Sequence, residues 1–100
     1  MVQPRIRIIT PGVRAPVPSP VDISGVAQTF EGAVAYRVRD AATNAVVAQG
    51  HLTATVGAPD FGDFQVAVPL PAGSYRVECL ELSVVDGSEV HMDSRPFTVQ

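Results

Sequence analysis

The sequence predicts an all-β chain folded as an antiparallel sandwich of about seven or eight short strands, and three observations carry that prediction. Runs in which apolar and polar residues alternate recur along the chain at intervals of about 8 to 12 residues, the period of half-buried strands. Proline- and glycine-containing breaks separate them. No stretch has an apolar stripe at helical spacing long enough to dock; Asp40 to Val47 comes nearest and lacks one. The length, 100 residues, suits one domain spanning residues 1–100, with a core that buries about two-thirds of the unfolded surface.

Taken in order, Arg5 to Thr10 alternates arginine with isoleucine and forms a first strand that ends at Pro11-Gly12. Val13 to Pro20 holds three prolines in eight residues, so its missing N–H groups forbid a central strand and suit an extended edge or crossover. Val21 to Gln28 puts Val21, Ile23, Gly25 and Ala27 in one phase. The small residues there mark either a bulge or a close approach, which Phe30 or Tyr36 would fill.

Ala27 to Asp40 is the most regular run: Val34, Tyr36 and Val38 face in, while Ala33, Ala35, Arg37 and Arg39 face out. It is expected at the centre of a sheet, packed with Phe64, Val66, Tyr75 and Val77. After a turn at Ala41 to Asn44, in which Asn44 best tolerates a left-handed conformation, come Ala45 to Gln49 and His51 to Val56, as one bent strand or two. Asp63 to Val68 presents Phe64, Val66 and Val68 in phase. Ser74 to Leu82 begins with Tyr75, Val77 and Cys79 facing in, and then Leu80 and Leu82 lie on the other side. The last strand or strand pair, Glu89 to Gln100, is expected to break at Pro96.

Composition excludes several functions. The net charge is -3, from 10 acidic residues and 7 arginines without lysine, so there is no basic stripe for nucleic acid. No run approaches the roughly 20 apolar residues of a membrane span, so no membrane insertion is expected. The N-terminal MVQPRIRIIT lacks a signal-peptide pattern. The chain is therefore expected to be extracytoplasmic if excised from a longer exported protein and cytoplasmic if complete as given. A lone cysteine, Cys79, forms no internal disulfide and leaves the compartment open.

No catalytic, cofactor or metal site emerges. Asp86, Glu89, His91 and Asp93 lack the repeated acidic spacing of a calcium loop, and Asp86-Gly87 reads as a turn. His51, Cys79, His91 and Met92 are the ligand types of a copper site, but Cys79 is mid-strand and Met92 follows His91 onto the opposite face. Cys79, in phase with Tyr75 and Val77, reads as a buried small hydrophobe, and no serine or cysteine has a base beside it. Asp60 and Asp63 flank Phe61-Gly62 in a solvated turn.

The segment SPVDISGVAQTFEGAVAYRVRD, with the later GDFQVAVPLPAGSYRVE and DGSEVH, resembles the immunoglobulin-like domain of bacterial spore germination and related envelope proteins. The most specific pieces are Ser19-Pro20, Gly25, Ala27, Phe30-Glu31, Phe64, Gly73 with Tyr75, and Asp86 to Glu89. The resemblance implies a two-sheet immunoglobulin-like sandwich serving as a non-catalytic accessory module attached to other extracytoplasmic domains; the first reading is that it binds a protein or a cell-wall polymer through a sheet face or edge. It supplies no ligand residues. The context of Tyr75 after a proline turn also fits a tyrosine corner. Phe30, Tyr36, Phe64 and Tyr75 are thus expected to be structural. The candidate interface is Leu80 and Leu82, rimmed by Arg37 and Arg39: if the leucines face outward they form an apolar patch suited to protein contact, and if a bulge returns them inward they belong to the core. The alternative reading is a stand-alone soluble sandwich that self-associates as a weak homodimer through edge strands or the Leu80/Leu82 face.

Overall fold

In the computed structural model, which describes residues 5–12, 16–83 and 85–100 and His91 by its backbone alone, the described residues form seven strands in two sheets. They are β1 (Ile6–Thr10), β2 (Val21–Ala27), β3 (Ala33–Asp40), β4 (Val46–Thr53), β5 (Gly62–Val68), β6 (Gly73–Leu82) and β7 (Glu89–Val99). One sheet runs β1-β2-β5 and the other β4-β3-β6-β7, with every neighbouring pair antiparallel. Alternation works as the sequence suggests. Ile6, Ile8, Val21, Ile23, Phe64 and Val68 turn inward from the first sheet and meet Val34, Val38, Val77, Cys79, Phe97 and Val99 from the second in one core. Each such aliphatic side chain stabilises the fold by roughly 1.5–3 kcal/mol when fully buried.

The central run proves shorter than its pattern implied. β3 starts only at Ala33, because Phe30–Gly32 forms a single 3-10 turn in which Glu31 (φ 55) and Gly32 (φ 71) take left-handed backbone conformations. That turn swings Phe30 out of the strand phase; expected among the structural aromatics of the core, it is 57% exposed. Gly25 does mark a close approach, but its neighbour is neither Phe30 nor Tyr36. Phe64 on β5, opposite Gly25, covers it from one side, and the carbonyl of Arg7 on β1 closes the other. Tyr36 instead lies over Gly50, its partner on β4, which is why β4 passes through that glycine as one strand.

β7 runs unbroken through Pro96 because it is an edge strand, where a missing N–H disrupts no ladder between two neighbours. The proline-rich crossover lies along its free side: the Val17 N–H donates to the Thr98 carbonyl at 2.9 Å, and the Gln100 N–H to that of Val17 at 2.9 Å. Val13 to Ala15 of that segment lie outside the described residues. The free side of β1 is closed from the other sheet. The Asp93 carboxylate accepts the Ile8 N–H at 2.9 Å, and Arg95 donates to the Ile9 carbonyl at 2.8 Å. Charged side chains thus occupy backbone groups that would otherwise template pairing with another chain.

Two turns follow their expected chemistry. Asn44 is left-handed (φ 63), and the Asp86 carboxylate accepts the Ser88 N–H at 3.0 Å beside Gly87 (φ 74). Tyr75 donates its hydroxyl to the Pro71 carbonyl at 2.7 Å and stacks on Phe97 with ring centroids 5.7 Å apart, which makes the tyrosine corner. A Tyr75→Phe variant keeps the stack and loses the bond, so it should melt about 4–8 °C lower, for a loss of about 1 kcal/mol. A thermal scan matching the parent's would remove the corner from the account.

Candidate functional site

The outer face of the β4-β3-β6-β7 sheet gathers the residues singled out as an interface, and register explains how. Across β3 and β6, Arg37 lies opposite Glu78, Arg39 opposite Arg76 and Ala35 opposite Leu80. On β4, Gln49 and His51 stand opposite Arg37 and Ala35; on β7, Met92 stands opposite Leu80 and Glu89 opposite Leu82. All these side chains share the face turned away from the core.

At its centre is Glu78, a carboxylate only 7% exposed. Its Oε1 accepts from Nε of Arg37 and, at 2.9 Å, from Nε of Arg39, and its Oε2 lies 3.6 Å from Arg76. Burial opposes its charge, but the hydrogen bonds and charges of Arg37 and Arg39 prevail and hold its pKa below the ordinary carboxylate value. Arg37 also donates both terminal nitrogens to Glu89, at 2.9 and 3.0 Å, a bidentate fork that raises its own pKa, together with Glu78. The same contact lowers the pKa of Glu89.

This geometry changes the expected interface. Arg37 and Arg39 are not a free cationic rim, because Glu78 and Glu89 engage them. Leu80 does face outward but is 3% exposed, whereas Leu82 is 41% exposed. The reason lies in the Arg37–Glu89 bridge. By register it starts beside Glu78 and ends beside Leu82, so in passing from β3 to β7 it crosses β6 over Leu80 and leaves Leu82 at its edge. Of the two readings of the leucines, outward facing holds, yet only Leu82 presents apolar surface to water.

Small residues hollow the same face. Ala35 floors a groove of about 450 Å³, lined also by Tyr36 and Gly50 and walled by Arg37, Gln49, His51, Leu80, Leu82 and Glu89. A smaller depression of about 170 Å³ continues it past Ala33 and Leu52. Glu78 and Gln49 were not singled out from sequence, and Glu89 and His51 were weighed only as metal ligands. The available signal was the arginine pair on the outer phase of β3, which demanded carboxylates, but register alone says which ones.

The residues weighed for metal chemistry are scattered. Cys79 points into the core, where burial, reinforced by the charge of Asp93, pushes its thiol up to about 12, so it is protonated and inert. His51 and Met92 lie on the outer face, and the side chain of His91 lies outside the described residues. Asp93 serves the β1 edge and Asp86 its own turn. Among the described residues, no group of three His, Cys, Asp or Glu side chains is placed to hold a metal ion.

Two sheets of three and four antiparallel strands, closed by a tyrosine corner, define an immunoglobulin-like module. Comparison with known families then places it: the model of the immunoglobulin-like domain of bacterial spore germination matches residues 5–88, and the chain belongs to that family. No curated protein and no solved structure matches it significantly.

Proposed function

We propose that the chain is a non-catalytic binding or assembly module of a bacterial germination or cell-envelope protein, engaging another protein or a wall polymer through the outer face of the four-stranded sheet. The observation that supports this reading is the groove of about 450 Å³ in which half-exposed Leu82 borders Ala35, Gly50 and the polar side chains of Gln49 and His51. A concave surface with apolar floor and a few fixed polar groups is what a ligand or a partner's side chain fits. The Arg37–Glu89 fork keeps one wall in place, so little order is lost on binding.

Two probes test it. Isotope-labelled protein is titrated with soluble peptidoglycan fragments, and a photo-crosslinking residue is placed at His51 in cells, with Gln65 on the opposite sheet as control. The reading expects amide shifts confined to Ala35, Gln49, Gly50 and Leu82, or one protein adduct from position 51 that position 65 does not give. No shift in the groove together with identical adducts from both positions would sink it.

A further inference from the structure

The pole of the sandwich at which β1 begins carries three loops, whose described residues are 28–32, 54–61, and 83 with 85–88. The first two are stitched to each other and to the strand ends, and the third is closed on itself. The Ala58 N–H donates to the Thr29 carbonyl and the Ala54 N–H to that of Gly32, both at 2.8 Å. The Phe30 N–H donates to the Glu81 carboxylate at 2.8 Å. Gly57 approaches so closely that a Cβ on it would lie 2.8 Å from the Gly32 nitrogen. A hydrogen bond of 2.7 Å between Ser83 N–H and the Ser88 carbonyl closes the third loop.

These tied-down loops nevertheless hold large apolar side chains in water: Phe30 (57% exposed), Val56 (45%), Phe61 (45%) and Val85 (89%). At the opposite pole the exposed pair Val46 (41%) and Val47 (49%) lies at the start of β4, not in a connection. Among the described residues of 11–20, 41–45 and 69–72, Leu70 is buried and no large apolar side chain is exposed. Since backbone bonds fix the loops, slack chain does not account for the exposure at the first pole. Large apolar side chains held in water on three loops of one pole mark a contact site. Its charge is one-sided: the three loops carry Glu31, Asp60 and Asp86 and no arginine, the nearby cation being Arg5, whose carbonyl accepts the Gln28 N–H at 2.7 Å.

We propose that this pole docks a protein whose contact surface sets aliphatic or aromatic side chains among lysines and arginines. Apolar tips supply the central anchors and the carboxylates steer a basic partner into place. The same charge disfavours two other occupants. A second copy presenting its own pole would oppose carboxylate to carboxylate, and an anionic lipid surface would repel all three. The site shares no apolar anchor with the groove on the sheet face, so either surface stands if the other fails.

The test uses two synthetic amphipathic helical peptides, one of leucine and lysine and one of leucine and glutamate, added to the isotope-labelled full chain. The lysine peptide is expected to shift amides in 28–32, 54–61 and 83–88. About tenfold weaker binding is expected for the glutamate peptide and for a Phe30→Ser, Val85→Ser double variant. Should that variant fail to fold, Asp60→Lys at the exposed rim should weaken the lysine peptide alone. Equal affinity for both peptides, or shifts spread over the sheet faces, overturns the proposal. So does a concentration-dependent dimer in sedimentation that Phe30→Ser abolishes, which assigns the pole to a second copy. Co-sedimentation with vesicles of phosphatidylcholine and phosphatidylglycerol overturns it in favour of a lipid surface.

Discussion

A Gly25→Ala variant should lose about 3 kcal/mol of stability and melt roughly 15 °C lower, although it adds only one methyl group. That Cβ would sit 2.1 Å from the Arg7 carbonyl oxygen and 2.7 Å from the Phe64 ring tip. A ring tip can tilt, but a backbone carbonyl moves only with its strand, so β1 must shift away from β2. The displacement would also strain the Asp93 and Arg95 bonds that close the free side of β1. Gly50→Ala is the internal control. The three atoms nearest its Cβ would all belong to the Tyr36 side chain, at 2.8–3.0 Å, and the cost should stay near 1 kcal/mol. Pairing Gly25→Ala with Phe64→Leu should not restore stability, because the carbonyl clash remains. Urea unfolding of the four proteins decides the matter: a Gly25→Ala midpoint equal to that of Gly50→Ala would mean that the strands can part at little cost.

That contrast also shows what the sequence could and could not reveal. A small residue in the buried phase of a strand announces a close approach, and Gly25 kept that meaning. Which neighbour approaches depends on register, a long-range property: Gly25 is opposite Phe64, 39 positions on, and Tyr36 opposite Gly50. Alternation likewise located β3 but overran its start, since the Glu31-Gly32 turn rests on backbone conformations that leave no mark on apolar periodicity. The outward phase of Leu80 and Leu82 was legible. Their different fates were not, because the roof over Leu80 joins Arg37 to Glu89, 52 residues apart. Local chemistry read better throughout: the Asp86-Gly87 turn, the left-handed Asn44 and the Tyr75 corner each depend on residues within a few positions of one another.

The charge network on the candidate face carries the second large effect. Glu78→Gln keeps the shape of the side chain but removes the carboxylate that Arg37 and Arg39 share, and should cost about 2 kcal/mol near neutral pH. The sign of its pH dependence follows from the lowered pKa. A carboxylate held below its unfolded value of about 4.3 contributes fully above that value, and its contribution is lost as pH falls through the lower folded value. The gap between parent and Glu78→Gln should therefore be widest at pH 7 and narrow toward pH 3, as the pH falls below the unfolded value and Glu78 begins to take up its proton. Denaturant unfolding at the two pH values measures it, and a gap of the same size at both would mean that packing, not charge, is the contribution of Glu78. Because Arg37 then retains only Glu89 to orient it, the variant should also loosen the roof over Leu80. The groove is in this sense held open by a buried carboxylate, and amide exchange at Leu80 should quicken in Glu78→Gln at pH 7 more than exchange at Val38 in the core.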